Sequence, residues 1–232
     1  MNRILFTAAE QEELDCARHA LRLYEHRLPA DVTVDFMLTG IGATSTCYRL
    51  TRKILEAATE GMPYTLVVNI GIAGSFNNGE FPIGSAAVIE KEYFGDLGFE
   101  TMFGFQTLFQ YELLDADLFP YKGGALYRQP LDPPLEKLVA GYDKATGVTV
   151  QTVTGNPYKV EDMKKRFSPD IESMEGAAVY YVCLQEKVPF FEMRTVSNAV
   201  GERDKSKWNI PLALKKLTGI CKDIFLTVCT VK

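Results

Sequence analysis

The six residues from 65 to 70, Thr-Leu-Val-Val-Asn-Ile, run almost without a polar break between Pro63 and Gly71. A short, β-branched, apolar run bounded in this way is the pattern of a strand covered on both faces, and it belongs in the interior of a partly parallel sheet. The sequence around it alternates between two periods. Residues 3–8 form a first apolar run, and residues 10–28 follow with Leu14, Ala17, Leu21 and Tyr24 at helical spacing. Residues 32–38 alternate as a second strand (Val32, Val34, Phe36, Leu38), and Tyr48, Leu50, Ile54 and Leu55 mark a second helix. Further strands are expected over 86–92, 148–154 and 189–197. Helices are expected over 135–142 and 161–167, from the Asp170 segment to about 185, and over 211–227. This order predicts a three-layer α/β/α fold around a central mixed, mostly parallel sheet. A chain of 232 residues fits one such domain, residues 1–232. Residues 102–121 hold Phe103, Phe105, Phe109, Tyr111, Phe119 and Tyr121 with no steady period. They read as a long loop with short helical pieces, a kind of segment that serves function or covers an interface.

Charge and rare residues narrow the chemistry. With 25 basic and 30 acidic groups, net charge −5, the chain has no field that attracts nucleic acid or anionic lipid. Only His19 and His26 are present, both in the first helix, so a His-based triad or a zinc site has no material and neither metal nor other cofactor is expected. Cys16, Cys47, Cys183, Cys221 and Cys229 are scattered without a CxxC pair and read as reduced thiols of a cytoplasmic protein. No apolar stretch reaches the ~20 residues of a membrane span, and the first residues do not resemble an export leader.

In a mostly parallel sheet, ligands bind at the carboxyl ends of the strands. The unusual residues gather at those ends: Glu10-Gln11-Glu12-Glu13, Gly40-Ile41-Gly42, Gly71-Ile72-Ala73-Gly74-Ser75 and Ser197-Asn198. Each has a plain alternative. The acids are also what a helix dipole favours in a first turn, and Gly40-Ile41-Gly42 has Ser45 where a dinucleotide loop has its third glycine. Arg194 on an apolar strand is equally a buried charge paired with a carboxylate, and Asn198 a turn or cap residue.

Taken together, these segments resemble the methylthioadenosine/adenosylhomocysteine nucleosidases of the nucleoside phosphorylase superfamily and, more closely, the futalosine hydrolases. The matching residues are Ala9-Glu10-Gln11-Glu12, Thr39-Gly40-Ile41-Gly42, Asn69-Ile-Gly-Ile-Ala-Gly74, Ser173-Met174-Glu175-Gly-Ala-Ala and Arg194-Thr-Val-Ser197-Asn198, in order over nearly the whole chain. Gly95-Asp96-Leu97-Gly98-Phe99-Glu100 and Trp208-Asn-Ile-Pro211 look like the futalosine branch in particular.

The resemblance implies a nucleoside phosphorylase-like fold and cleavage of a purine nucleoside, most simply futalosine to hypoxanthine in menaquinone synthesis. Glu12 would be the general base for the attacking water. A one-residue shift would give that role to Glu13, and the sequence leaves the two open. Glu175, with Met174, would hold the ribose and stabilise its developing positive charge. Gly40, Ile72, Ala73, Gly74 and Arg194 would line the substrate, Tyr158 would stack on the base, and Lys159 lies beside it in the same segment. At Asn198 the methylthioadenosine enzymes carry Asp. An amide is no acid at neutral pH, but it donates to N7 or a 6-oxo oxygen, which suits hypoxanthine better than adenine. Residues 39–45 and 71–78 contain no arginine for a phosphate, which favours water as nucleophile, with Arg49 and Arg194 as the cations that tertiary structure could bring in. Alternatives are a methylthioadenosine/adenosylhomocysteine nucleosidase, a purine nucleoside phosphorylase and a non-catalytic nucleoside-binding protein. The family also implies a homodimer or higher homo-oligomer.

Overall fold

The computed structural model describes residues 2–102 and 104–230, so Phe103 lies outside the described residues. The elements follow in the order β1 (Asn2–Ala8), α1 (Gln11–Tyr24), β2 (Val32–Leu38), α2 (Ala43–Thr59), β3 (Leu66–Ser75), β4 (Ala86–Phe94), β5 (Gly98–Thr101), β6 (Gly104–Thr107), β7 (Leu126–Tyr127), α3 (Pro133–Val139), β8 (Asp143–Thr149), α4 (Pro157–Phe167), β9 (Ile171–Ser173), α5 (Gly176–Gln185), β10 (Phe190–Ala199) and α6 (Ile210–Thr230).

The main sheet has the order β10-β4-β8-β9-β3-β1-β2, with β7 on β4. β10 also pairs with β3, so five of these strands close on themselves and β1 and β2 extend from the ring. The pairings β1–β2, β1–β3, β10–β3, β4–β8 and β8–β9 are parallel, while β10–β4, β3–β9 and β4–β7 are antiparallel. The sheet is therefore mixed and mostly parallel, as expected. β3 organises it. Its first half pairs with β1, and its end, at Gly74 and Ser75, pairs with β9.

Alternation along β3 supplies two cores. Leu66, Val68 and Ile70 face a cluster with Leu14 and Ala17 of α1 and Leu217, Ile224 and Phe225 of α6. Val67 and Ala73 face the other cluster, with Leu50 and Ile54 of α2 and Val179, Tyr180 and Cys183 of α5. Phe6 stacks on Phe225 at 4.9 Å. Burying a ring of that size contributes roughly 1.5–3 kcal/mol. Among the described residues no helix is long and apolar enough to cross a membrane.

Several expected boundaries move, each for a local reason. β3 continues five residues beyond Ile70, because the glycine-rich stretch keeps its partners in β10 and β9. β8 spans Asp143–Thr149 rather than 148–154, set by its parallel register with β4. α4 opens at Pro157 rather than 161, since Asn156 caps it by accepting from the Tyr158 amide at 2.9 Å and proline is tolerated in a first turn. α3 likewise opens early, at Pro133, and ends at Val139. The segment after Asp170 is not yet helix: it is β9, and α5 begins only at Gly176. The aromatic stretch expected as loop begins with the hairpin β5–β6, whose paired residues run from Gly98↔Thr107 to Thr101↔Gly104.

Candidate functional site at the strand ends

The start of α1 decides which acid enters the site. Glu13 is on the buried face with Leu14, Cys16, Ala17 and Ala20, whereas Glu12 is exposed. The Oε2 atom of Glu13 accepts from the Glu10 amide at 3.1 Å, and Oε1 accepts from the Ile72 amide of β3 at 2.8 Å. Glu13 is thus tied to both its own helix and the central strand. Burial pushes its carboxyl above the usual glutamate range, opposed by Arg194 and the two amides. Glu12, the residue an ungapped match selects, is exposed, and of the two acids it is Glu13 that the structure brings into this group.

Opposite stands Glu175, the residue that precedes α5. Its Oε1 accepts from the Gly42 amide at 2.9 Å. Gly42 has φ of +91° at the start of α2, a conformation glycine adopts freely, and this aims its N–H at the carboxylate. Gly40 lies in the same turn, which is fastened by the Ser45 hydroxyl donating to the Thr39 carbonyl at 2.6 Å. Burial raises the Glu175 carboxyl, and Arg194 lowers it in part.

Between these acids lies Arg194, 1% exposed. Its Nε donates to Glu192 Oε1 at 2.6 Å, and its Nη2 is 3.8 Å from Glu175 Oε2. Arg194 was expected along the substrate, but it is enclosed. Its charge faces the carboxylates of Glu192, Glu175 and Glu13. Glu192 and the equally buried Glu92 were not singled out in the sequence. A glutamate two residues before an arginine on one strand face was the available signal.

Asn198 sits where β10 shifts register against β3, between Val196 and Asn198, beside Gly74. Its Oδ1 accepts from the Ser197 hydroxyl at 2.8 Å and its Nδ2 donates to the Ala199 carbonyl at 2.9 Å. The Ala199 carbonyl can only accept, so it fixes Nδ2 on its side and turns Oδ1 toward the Ser197 hydroxyl. One N–H and one lone pair remain for a ligand. Ile72, Gly74 and Met174 are half-buried around the same edge, and Ala73 is buried, its carbonyl 3.2 Å from Ser197 Oγ as the second acceptor for that hydroxyl's one proton.

Tyr158 and Lys159 are not brought into this group. Tyr158 is 86% exposed on the first turn of α4, and Lys159 pairs with Glu100 of β5 at 3.4 Å. Gln151 approaches instead: its amide donates to Asp96 Oδ2 at 2.6 Å and its side chain to Thr44 Oγ1 at 3.3 Å. The site therefore has a rim running from β8 to the start of α2. A separate cavity of about 390 Å³, lined by Ile4, Val32, Leu66 and Pro189, lies at the other end of the strands, away from Glu13, Glu175 and Asn198. Converging polar groups outweigh cavity size here, and they mark the carboxyl ends. Among the described residues no group of three or more His, Cys, Asp or Glu could hold a metal ion.

Residues 3–225 match the family described as the phosphorylase superfamily. The chain is 34% identical over 200 residues to a futalosine hydrolase of Streptomyces coelicolor, covering 83% of this chain and 78% of that one. It is 30% identical to a futalosine hydrolase of Thermus thermophilus, covering 78% and 76%. Among solved structures, a 5'-methylthioadenosine/S-adenosylhomocysteine nucleosidase of Helicobacter pylori superposes with a TM-score of 0.77 at 16% identity, over 100% of this chain and 99% of that one. A futalosine hydrolase mutant of the same species superposes with a TM-score of 0.75 at 16% identity, over 99% and 98%.

Proposed function

The chain belongs to the phosphorylase superfamily and, within it, to the family of its futalosine hydrolase relatives, and from that premise we propose that it hydrolyses the N-glycosidic bond of a 6-oxopurine nucleoside, with futalosine as substrate and hypoxanthine as the released base. Glu13 takes a proton from water, whose oxygen bonds to C1′ of the ribose as the bond to N9 breaks. The electrons of that bond leave with the purine. Glu175 grips the ribose hydroxyls with Met174 and faces the positive charge that grows on the sugar, an attraction stronger in the transition state than in the ground state. Asn198 donates to the purine while negative charge builds there.

The observation that carries this reading is the pairing of two buried carboxylates around one buried guanidinium. Glu13 is held by the Ile72 amide, Glu175 by the Gly42 amide, and both feel Arg194. A binding module has no need of a base opposite a cation stabiliser. The protein acts in the cytoplasm as a homodimer or higher homo-oligomer; the oligomer is supported by exposed Ile41 in the turn before α2 and by exposed Tyr48 and Leu55, seven residues apart on α2. Gly40, Ile72, Ala73 and Gly74 form the substrate's floor.

The test is chromatography of the base released from futalosine, inosine and methylthioadenosine in phosphate-free buffer. Release of hypoxanthine without phosphate supports hydrolysis. A strict phosphate requirement would make the enzyme a phosphorylase and direct attention to Arg49, whose guanidinium stands beside Gly40. Faster release of adenine would assign the methylthioadenosine activity, and binding without cleavage a non-catalytic role.

A further inference from the structure

Behind Glu175 lies a second layer of acids that the reaction outlined above does not use. Glu92 of β4 is 1% exposed and Glu192 of β10 is 0% exposed. Both carboxylates press on Gly176, the first residue of α5: a Cβ there would overlap Glu92 Oε1 and lie 2.9 Å from Glu192 Oε1. Only a residue without a side chain lets the helix approach two acids so closely. Glu92 Oε2 accepts from the Thr149 hydroxyl at 2.9 Å, and that hydroxyl accepts from the Ala177 amide at 2.7 Å, which ties the acid to the start of α5. Two buried polar atoms in this layer have no hydrogen-bond partner: Glu192 Oε2 and Arg194 Nη2.

We propose that Glu92 is a positioning residue of the site, whose carboxyl, packed against Glu192, keeps the Arg194 guanidinium available to Glu13 and Glu175. The inference rests on the hydrolytic reading given above. Four acids, Glu13, Glu92, Glu175 and Glu192, compete for one cation. The groups facing Glu92 are Glu192 and Arg194 on β10, Glu175 before α5, Tyr180 on α5 and the uncharged Thr149 on β8. Burial, and then the charge of Glu192, push the Glu92 carboxyl well above its ordinary range. Carrying its proton, Glu92 adds no negative charge to the cluster. Glu192 then holds Arg194 through Nε, leaving Nη2 turned toward Glu175. Loss of the Glu92 proton would place another buried charge beside Arg194, draw the guanidinium from Glu175 and lower the rate. Glu92 thus sets the alkaline limit of activity.

The experiment measures kcat and KM for inosine or futalosine from pH 5 to pH 10 with the full-length chain and its Glu92→Gln, Glu92→Leu and Glu192→Gln variants. Glutamine keeps the shape and the donor of a neutral acid but cannot ionise. It is expected to move the alkaline limb of kcat upward by about one pH unit or more. Leucine is expected to lower kcat at pH 7 by about tenfold or more with KM within about threefold, and glutamine to recover most of that loss. Glu192→Gln is expected to lower kcat in the same manner. Infrared spectroscopy gives a readout that needs no turnover: a carbonyl stretch of a protonated carboxyl at pH 7 in the unaltered protein, missing in Glu92→Gln. An unchanged alkaline limb in Glu92→Gln, or an infrared spectrum without that loss, overturns the proposal. If the unaltered protein cleaves no purine nucleoside, the hydrolytic reading fails, while the infrared difference still decides the state of Glu92.

Discussion

The Ile72 amide donates to Glu13 Oε1 at 2.8 Å, and this single bond joins the first turn of α1 to the central strand. Glu12, one residue earlier, faces solvent. Glu13→Gln is therefore expected to lower kcat by at least about a hundredfold, within the 10²–10⁴ range for loss of a general base. Glu12→Gln is expected to stay within about twofold of the unaltered protein, as an exposed substitution outside the site should. Equal losses in the two variants, measured by release of the free base, would return the role to Glu12 or to neither acid.

The pH dependence of stability follows from the same burial. Glu13, Glu92, Glu172 and Glu175 all have carboxyls raised above 4.5, chiefly by desolvation. A carboxyl raised on folding contributes stability that is complete below its unfolded value and is lost as pH climbs through its folded value. Glu136, held down to about 2 by Arg128, acts in the opposite sense: its contribution is present above 4.5 and lost as pH falls toward 2. Thermal unfolding is expected to show a maximum between these limits. The fall on the alkaline side should be shallower in Glu175→Gln, since one raised carboxyl is gone. Parallel curves for the two proteins between pH 5 and pH 9 would refute this account.

Much of the fold could be read from sequence because alternation and helical spacing report burial directly. β1, β2 and the first half of β3 emerged from apolar pattern, and α1, α2 and α6 from spacing. Pattern failed where tertiary pairing overrides it. The stretch from Gly71 to Ser75 looks like a loop by composition, yet it is strand because β10 and β9 supply partners on either side. Of the candidate site, Asn198 stood out as an amide at a strand end, whereas Glu175 was legible only through the family resemblance of its segment. Glu13 was legible in principle, since a register that buries Leu14 and Ala17 buries it as well. Glu92 was not, because an acid in the charged run Glu90-Lys91-Glu92 near the end of a strand gives no sign that a distant glycine makes room for it. Tyr158 failed differently. Its place in the chain matched, but Asn156 starts α4 early and carries the ring outward on the helix's first turn.

Gly71 tests how closely the parts must fit. A Cβ at this position would overlap Arg194 Nη1 and approach Glu13 Oε1 to 3.0 Å. Arg194 cannot retreat, being enclosed and bonded to Glu192. Gly71→Ala is expected to destabilise the protein by roughly 1–3 kcal/mol, the usual range for overpacking, and to lower kcat by about tenfold or more through displacement of both charges. Urea unfolding and steady-state kinetics would check the two effects. A variant with normal kcat would mean that Arg194 has room to shift without disturbing Glu13.

Asn198→Asp probes the base directly. In the present network the amide nitrogen donates to the Ala199 carbonyl while the amide oxygen accepts from Ser197. A carboxylate keeps the second bond and loses the first. Its free oxygen, set near the Ala199 carbonyl, seeks a donor, and adenine offers one in its 6-amino group where hypoxanthine has an acceptor. The ratio of kcat/KM for inosine over adenosine is therefore expected to fall by roughly ten- to a hundredfold, the discrimination carried by one or two buried hydrogen bonds at about 1–1.5 kcal/mol each. The change should appear in the ratio even if both activities drop, because removal of the donor weakens both bases and only adenine gains a partner. If the ratio stays constant, the amide serves the strand bulge alone and base choice is made elsewhere on the rim.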